Sequence, residues 1–428
     1  MYKSFIIIYF LFSAFSVSSQ QSRLLEKYRQ MAVSYNHDLK AADKNISASI
    51  ELEKSAKADL KPKLSGNANF QYTGNPLQLT LDLPSMENPM TFEGKDLKYG
   101  ASLTLLQPVY TGGRILETIR MAKHQQAMAT HQEELFRSAV CYQTDMQYWN
   151  TVARAEIVEV STEYRNSIAS LARTIRERVE VGLVDPQDQL MAEVKLNEAD
   201  YQLLQAKSNL ETGLMALNSL IGIELHTATE IDSVIPPVVI PDEIKQSDVS
   251  DRPELKIAYD QIRIAESSLK LADSKYKPQL YIGIDGSYSS PGYDLRSDLD
   301  PNYAVYAKLS VPLFEWGKRK NEKRASSHRI GMAQDNLNQV TDNVNLEVQT
   351  ARVSLSQALE RVNLTGSSLE KARENEQKAL ERYAEGKVSV VEVIEAQTYR
   401  QNSQLNYVQA KVSAQGHYSE LIKALNRY

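Results

Sequence analysis

Residues 64–73 read LSGNANFQYT, in which apolar or small side chains alternate strictly with polar ones. The same period-two pattern recurs in residues 99–105, 279–288 and 302–311. Such alternation predicts a β-strand with one apolar and one polar face. A length of about ten residues also suits a tilted transmembrane strand. A half-buried sheet in a soluble protein would alternate in the same way, so each segment taken alone leaves both interpretations open.

The two halves of the chain repeat one another. Pro108 and Gly113 recur 204 residues later as Pro312 and Gly317, and RVEVGLV at 178–184 recurs at the same offset as RYAEGKV at 382–388. A constant offset predicts an internal duplication. The predicted segments are a signal peptide at 1–19, a first repeat at 20–222, a proline-containing linker at 223–251 and a second repeat at 252–428.

The N-terminus has the pattern of a secretory signal peptide. Lys3 supplies a positive charge, residues 5–15 are mostly apolar, and small residues follow at 17–19. The apolar run of about 11 residues is too short for a membrane-spanning helix, which needs about 20. We therefore predict export. No cysteine follows this run directly, since the single cysteine is Cys141, and a lipid anchor at a new N-terminus is not expected.

Composition and motifs argue against several functional classes. The chain has 49 Lys and Arg against 54 Asp and Glu, a net charge of −5, which does not favour nucleic acid as a partner. A single cysteine excludes an intramolecular disulfide and any multi-cysteine metal site. The sequence has no nucleophile elbow, P-loop or dinucleotide fingerprint, so we expect no enzyme activity and no cofactor.

Two segments are too long to be ordinary globular helices. Residues 114–178 contain no glycine or proline, which predicts a rod of roughly 100 Å at 1.5 Å per residue. Residues 318–385 predict a second rod, interrupted only by Gly331 and Gly366. Shorter helices are expected at 23–60, 186–222 and 389–428. One short helix from each end matches one long rod, which suggests an antiparallel helical tube continuous with the strands.

The predicted apolar stripe of the first rod has a spacing of about 3.67 residues per turn, close to that of straight or slightly right-handed packing. It consists of Leu135, Ala139, Tyr142, Met146, Trp149, Ala153, Ile157, Val160, Tyr164, Ile168, Leu171, Ile175 and Val179.

Four strands per chain cannot close a barrel, and open strand edges are not tolerated in lipid. If the strands cross a membrane, several copies of the chain must therefore pool them. Two copies would supply eight strands and three would supply twelve, and this argument alone does not choose between them.

Three motifs resemble those of the TolC-type outer-membrane efflux protein family. QPVYTGGR at 107–114 is similar to the family's strand-to-helix signature, and VPLFEWGK at 311–318 is a weaker copy. VGLV at 181–184 resembles the first helical-hairpin tip, and RYAEGKVSVVEVIEAQ at 382–397 resembles the second. The resemblance implies a mixed, mainly α-helical fold with an internal duplication. Four strands per chain would enter a trimeric transmembrane β-barrel that continues into a long periplasmic α-helical tunnel.

The resemblance also implies a function. The chain would be the outer-membrane exit channel of a tripartite efflux or type I secretion system, with its helical part in the periplasm. Its partners would be two further copies of itself, a periplasmic adaptor protein, an inner-membrane pump and outer-membrane lipid. The alternative from another class is a structural coiled-coil envelope protein without channel activity.

The resemblance implies a periplasmic gate. Glu392 and Glu395 match acidic positions that line the constricted end of the tunnel, and lying one turn apart they would face the same side of a helix. In a trimer they would form two rings of three carboxylates, which favour cations and can bind divalent ions. Asp188 is equivalent to Glu392 in the first repeat, while Met191 replaces the second acid.

A latch and two docking tips are implied as well. Tyr383 matches a latching tyrosine, with Asp188 as its expected partner, and Val388 stands where the family has an arginine. The rods must reverse at two turns, where glycine permits the required backbone. These turns are the predicted adaptor-docking tips: Val181, Gly182, Leu183, Glu385, Gly386 and Lys387. The polar loops at 74–98 and 289–301 are predicted to be extracellular.

Other candidate residues carry weaker signals. His124 and His131 lie seven apart on a predicted helix without an acidic residue at ligand spacing between them, so we expect exposed histidines and no metal site. Met86 and Met90 are read as ordinary loop residues. The basic run at 318–324 either meets lipid phosphates or forms a solvated helix face.

Overall fold

The computed structural model describes residues 23–81, 89–241, 244, 249–292 and 298–428. The predicted signal peptide, Met86, and parts of the predicted linker and loops lie outside the described residues.

Each half of the chain contains helices, strands and a helical hairpin. In the first half these are α1 (Arg23–Tyr35), α2 (His37–Ala58), β1 (Lys63–Tyr72), β2 (Gln78–Leu81), β3 (Met90–Glu93), β4 (Leu97–Tyr110), α3 (Arg114–Glu180) and α4 (Pro186–Ile221). In the second half they are α5 (Pro253–Ser274), β5 (Gln279–Ser290), β6 (Asp300–Ser310), α6 (Lys318–Ala384) and α7 (Val390–Ala424).

Both predicted rods are confirmed as single helices. Helix α3 has 67 residues, and α6 also has 67 and runs unbroken through Gly331 and Gly366. The helix expected at 23–60 is instead two helices, α1 and α2, separated at Asn36. The Asn36 side chain accepts a hydrogen bond from the backbone N–H of Leu39 at 2.9 Å. Asparagine is a favoured helix N-cap, and this cap marks the start of α2 without any glycine or proline.

The chain forms two compact units that cut across the sequence repeats. We call the first the helical unit; it comprises the residues up to Ala41, Glu133–Pro253 and Thr341–Tyr428. We call the second the sheet unit; it comprises Ala42–Gln132 and Glu254–Val340. The repeat boundaries given above stay a prediction, because these units group the residues by contact and not by sequence similarity.

The sheet unit contains one four-stranded antiparallel sheet in the order β1-β4-β5-β6. The register places apolar residues directly opposite one another on all four strands: Leu64 pairs with Leu105, Leu105 with Ile284, and Ile284 with Val305. Directly paired residues share one face of a sheet. A neighbouring row on the opposite face is entirely polar and consists of Asn67, Ser102, Ser287 and Asn302. The alternation predicted from sequence therefore produces one apolar and one polar face.

The apolar face is exposed. The side chains of Leu64, Leu105, Ile284 and Val305 are 69%, 37%, 44% and 66% exposed. A half-buried soluble sheet would cover such a row with a second layer, and each covered aliphatic side chain would contribute about 1.5–3 kcal/mol. Among the described residues no layer does so.

The first predicted loop contains a short hairpin that the polar composition did not predict. Strands β2 and β3 pair antiparallel, and the Gln78 side chain donates a hydrogen bond to the Glu93 carboxylate at 2.8 Å. The strands have only 4 residues each, too few for the alternation to be read from sequence.

The core of the helical unit gathers residues from α1, α2, α3, α4, α7 and the segment that follows α4. Its buried members are Leu25, Tyr28, Ala32, Leu39, Val140, Tyr148, Trp149, Val152, Ala153, Val160, Leu217, Ile221, Ile235, Val408 and Val412. The predicted stripe of α3 is buried or half-buried from Trp149 to Val179. Further towards the N-terminus it is wrong at Ala139, which is exposed, because the inward face there carries buried polar residues such as Thr144 and Asp145.

Asp145 is the centre of a buried polar cluster. Its carboxylate accepts two hydrogen bonds from the Arg29 guanidinium, at 2.6 and 2.7 Å. It also accepts hydrogen bonds from the Ser419 hydroxyl at 2.7 Å and from the Tyr428 hydroxyl at 2.9 Å. Asp145 is fully buried, and a buried charge is tolerated only when it is paired and hydrogen-bonded. The cluster thus ties α1, α3 and the C-terminal segment together.

We predict that Asp145→Ala lowers the free energy of unfolding by about 3–5 kcal/mol, because it leaves the Arg29 guanidinium buried without its main partner. Glu26→Ala is the matched control. Glu26 contacts the same guanidinium at 3.2 Å, but its side chain is 52% exposed, and we expect a cost below about 1 kcal/mol. Denaturant unfolding of the purified protein measures both values, and equal losses would contradict a central role for Asp145.

Candidate functional site

The two helical hairpins turn through the same backbone motif. At the end of α3, the N–H of Gly182 donates to the Val179 carbonyl and the N–H of Leu183 to the Arg178 carbonyl, both at 2.9 Å. At the end of α6, the N–H of Gly386 donates to the Tyr383 carbonyl at 3.1 Å and the N–H of Lys387 to the Arg382 carbonyl at 2.9 Å. Both turns are Schellman motifs, in which the residue after the cap adopts the left-handed conformation.

The turn glycines are needed for their backbone angles and not for space. Gly182 has φ 74° and Gly386 has φ 71°, and nothing lies within 4 Å of a Cβ built at either position. Side chains beside them point outwards: Val181 is 68% and Leu183 is 75% exposed. The structure therefore presents the predicted tips as accessible turns of defined backbone conformation; docking of an adaptor on them stays a prediction.

An apolar cluster lies beneath both tips and belongs entirely to the helical unit. Its buried members are Leu171, Ala172, Ile175, Ala192, Tyr383, Val390, Val393 and Ile394, with Val179, Val184, Met191 and Val388 packed against them. Met191, which replaces the second acid in the first repeat, and Val388, where the resemblance implies an arginine, are both in this cluster. They add apolar contact at positions where a charged side chain would have to leave the cluster.

Tyr383 is held by a cation and not by a carboxylate. The Arg178 guanidinium lies 4.7 Å from the centre of its ring and also donates to its backbone carbonyl at 3.2 Å. Burial raises the pKa of Tyr383. Its hydroxyl has no hydrogen-bond partner among the described residues, so the expected bond to Asp188 is not formed within one chain. A latch through Tyr383 stays a prediction for the assembled protein.

Glu392 and Glu395 lie on the exposed face of α7, while Val393, Ile394 and Ala396 are buried on the other face. The two carboxylates therefore share one accessible side of the helix, as their spacing predicts. Whether they line a gate is untested.

Glu392 also has a structural role that the sequence analysis missed. The Glu392 carboxylate accepts a hydrogen bond from the Ser389 N–H at 3.3 Å, and the Glu392 N–H donates to the Ser389 hydroxyl at 3.4 Å. This reciprocal pair is a capping box, and the Ser-x-x-Glu spacing was a sufficient signal for it. In the first repeat the equivalent cap is Asp185, which accepts from the Gln187 N–H at 2.8 Å. Asp188 lies in the first turn of that helix.

A polar network, also not predicted, joins α3, α6 and α7 in the helical unit. Gln397 donates to the Ser167 hydroxyl at 2.7 Å, and Ser167 donates to Glu376 at 3.3 Å. Arg400 bridges Glu376 at 3.0 Å and Glu163 at 2.7 Å. These partners come from distant parts of the sequence, so no local pattern indicates them.

The histidine interpretation needs correction. His124 and His131 are half-buried and both approach Asp260 of α5, with N···O distances of 3.1 and 3.7 Å. The acidic partner was missed because it lies on another helix. Within the described part of the chain there is no group of three or more His, Cys, Asp or Glu side chains placed to hold a metal ion.

None of the helices in the described ranges is both long enough and apolar enough to cross a membrane.

These features define a class of protein: a mainly helical chain with a duplicated plan, two long helices reversing at glycine turns, and an antiparallel sheet with an exposed apolar face. The family model described as outer membrane efflux protein matches residues 28–223 and 246–427. The chain therefore belongs to the outer membrane efflux protein family.

Individual relatives are distant. The solvent efflux pump outer membrane protein SrpC of Pseudomonas putida is 23% identical over 67% of this chain, and the match spans only 60% of the length of SrpC. The probable outer membrane lipoprotein SilC of Salmonella typhimurium is 22% identical over 90% of this chain and 80% of its own. The crystal structure of the Campylobacter jejuni CmeC outer membrane channel matches with a TM-score of 0.75 and 20% identity, over 95% of this chain and 86% of CmeC.

The fold class predicted from the sequence is confirmed, since the chain shares its fold with solved outer-membrane channels. The predicted localisation in the outer membrane, with the helical part in the periplasm, is also confirmed.

Proposed function

We propose that this chain is the outer-membrane exit channel of a tripartite efflux or type I secretion system, and that it works as a homotrimer that conducts its substrates passively. The observation that carries this proposal is the exposed apolar row Leu64, Leu105, Ile284 and Val305 on a sheet whose opposite face is polar. A row of this kind suits contact with lipid hydrocarbon, while the polar face suits a water-filled lumen.

The sheet has two edge strands, β1 and β6. Their unpaired backbone groups cannot face hydrocarbon, so strands from further copies must pair with them. Three copies would place twelve strands in one barrel, which agrees with the family resemblance. A structural coiled-coil protein without channel activity, the alternative considered above, gives no reason for the exposed apolar row.

Two lines of support favour the transport partners. One relative is named as the outer membrane protein of a solvent efflux pump, which supports efflux as the transport class. The hairpin tips present exposed apolar side chains, Val181 and Leu183, on a turn of fixed conformation, as a docking surface for a periplasmic adaptor requires. The adaptor would connect the channel to an inner-membrane pump, which would select the substrate.

The gate proposal is supported by the accessible side that Glu392 and Glu395 share. Around a threefold axis they would form stacked carboxylate rings that attract cations. Because the Glu392 carboxylate also accepts the Ser389 N–H in the capping box of α7, an alanine substitution would combine loss of charge with loss of that hydrogen bond. Glutamine removes the charge and can keep the capping interaction.

The first prediction tests the lipid-facing side of the sheet. Val305→Lys should greatly reduce the heat-modifiable oligomer recovered from outer membranes, since a lysine on the lipid face costs about 2–4 kcal/mol near the bilayer midplane. Ala304→Lys is the matched control, because residue 304 precedes it in β6 and faces the polar side. Semi-native electrophoresis measures the amount of oligomer formed by each variant. If the two variants assemble equally well, the apolar face does not meet lipid.

The second prediction tests the tips. Gly182→Val with Gly386→Val should abolish export and co-purification with the adaptor while the oligomer still reaches the membrane, because a β-branched residue is a severe outlier at positive φ. Gly182→Asn with Gly386→Asn is the control, since asparagine tolerates the left-handed conformation. Normal export by the valine variant would show that the tips are not the docking surface.

The third prediction tests the gate. In planar bilayers the protein should prefer cations, and multivalent cations should block it from the periplasmic side. Glu392→Gln with Glu395→Gln should weaken that block by more than about tenfold, because the attraction of the carboxylate rings is lost. Glu370→Gln with Glu374→Gln removes the same number of exposed carboxylates from α6 and should leave the block intact. Unchanged block in the first variant would mean that the two residues do not line the pore.

A further inference from the structure

The segment between β6 and α6, residues 311–317, exposes large apolar side chains. Leu313 is 92% exposed, Phe314 is 70% exposed and Trp316 is 87% exposed. The rings of Phe314 and Trp316 contact each other edge to face, with centroids 4.8 Å apart. We call residues 311–324, which add the first two turns of α6, the junction segment. It belongs entirely to the sheet unit.

Trp316 occupies an unfavourable backbone conformation. Its φ is 48°, in the left-handed region that residues other than glycine rarely adopt. The equivalent residue of the first repeat, 204 positions earlier, is Gly112 with φ 66°. A Cβ on Gly112 would lie 2.6 Å from the Ser274 carbonyl oxygen, so only glycine fits there. The second repeat keeps the same backbone but has a tryptophan whose ring is not buried within the described chain.

The start of α6 adds positive charge beside these rings. The junction segment contains five cations, at 318, 319, 320, 323 and 324, and two acids, Glu315 and Glu322, a net charge of +3. Arg319 is neutralised by Asp273 at 2.9 Å. Lys320, Lys323 and Arg324 are exposed, lie on one side of the helix, and have no carboxylate within 4 Å in the described part of the chain.

We propose that the junction segment binds the headgroups of anionic phospholipids at the periplasmic surface of the membrane. Lys320, Lys323 and Arg324 would contact the phosphates, and Phe314 and Trp316 would lie among the ester groups. Tryptophan favours this layer because its ring is apolar and its N–H is polar. The placement rests on the proposed function, in which β6 crosses the membrane and α6 leaves it on the periplasmic side.

A second copy of the chain is the other candidate to cover the rings, and charge argues against it. The edge strand that would pair with β6 is β1, which begins at Lys63, and Lys61 lies just before it. Asp59 approaches Lys63 at 3.9 Å, which leaves Lys61 as the added positive charge. A neighbouring copy would therefore bring a further cation, and no net negative charge, to the junction segment. Phosphate groups complement this charge, and each basic residue near an anionic surface contributes about 1 kcal/mol.

The site can be read directly by fluorescence. The chain has two tryptophans, and the other, Trp149, is buried in the helical unit, so Trp149→Phe leaves Trp316 as the single reporter. The full-length protein in an uncharged detergent is titrated with phosphatidylglycerol, phosphatidylcholine or inorganic phosphate. We expect a blue shift at lower concentration with phosphatidylglycerol than with phosphatidylcholine, and none with phosphate. Salt at 0.5 M should remove the difference, because it screens the cations. Equal responses to the two lipids would overturn the proposal.

Charge variants test the cations. Lys320→Gln, Lys323→Gln and Arg324→Gln together should weaken phosphatidylglycerol binding by up to about a hundredfold. Three basic residues that each contribute about 1 kcal/mol are then lost, and about 1.4 kcal/mol corresponds to a tenfold change in affinity. Arg361→Gln, Lys371→Gln and Lys378→Gln remove two lysines and one arginine from the other part of α6, and binding should stay unchanged. An equal loss in both variants would mean that net charge alone attracts the lipid and that the junction segment is not a site.

Trp316→Gly separates lipid contact from structure, because it restores the residue of the first repeat. The thermal midpoint in detergent should be unchanged or higher, since the left-handed strain is relieved. Phosphatidylglycerol retained through purification, quantified by mass spectrometry, should fall severalfold, while bilayer conductance is kept. Dissociation of the oligomer would instead assign Trp316 to a contact between copies and overturn the proposal. If the unmutated protein shows no conductance in bilayers, the proposed channel function fails. The lipid titration still decides whether the junction segment binds anionic lipid.

Discussion

The pairing of β4 with β5 is the constraint on which the sheet unit depends. These strands come from different halves of the chain, and their register fixes Leu105 opposite Ile284. Because side chains alternate with a period of two, a slip of one residue would move every apolar side chain of one half to the polar face. The continuous apolar face, and with it the proposed contact with lipid, therefore follows from this one register.

The duplication gives the molecule two copies of each turn and helix start, and the two copies differ where their surroundings differ. Asp185 caps the return helix in the first repeat, while Ser389 and Glu392 cap it in the second. Gly112 is confined by the Ser274 carbonyl, whereas its counterpart Trp316 is free to point outwards. At these turns the two halves keep the same backbone conformation, and Trp316 replaces glycine where a side chain has room.

Beneath the tips, apolar packing and a cation hold the hairpins together. Met191 and Val388 extend the cluster around Val393, and Arg178 covers the ring of Tyr383. This arrangement leaves Glu392 and Glu395 on the accessible side of α7 with no role in the cluster itself. A change of charge at those two positions therefore removes no apolar contact of the cluster beneath the tips.

The sequence alone determined the features whose cause is local. Alternation predicted the four long strands, the absence of helix breakers predicted α3, and glycine at 182 and 386 predicted the turns, because each depends on residues within one element. The capping box of Ser389 and Glu392 is equally local, since its Ser-x-x-Glu spacing lies within one helical turn. Tertiary structure decided the rest: the Arg29–Asp145 pair joins residues 116 apart, and Asp260 meets His124 from another helix. It also decided that none of the described residues forms a layer over the apolar face of the sheet. Such contacts depend on which elements pack together and in what register, and no periodicity within a single element encodes that.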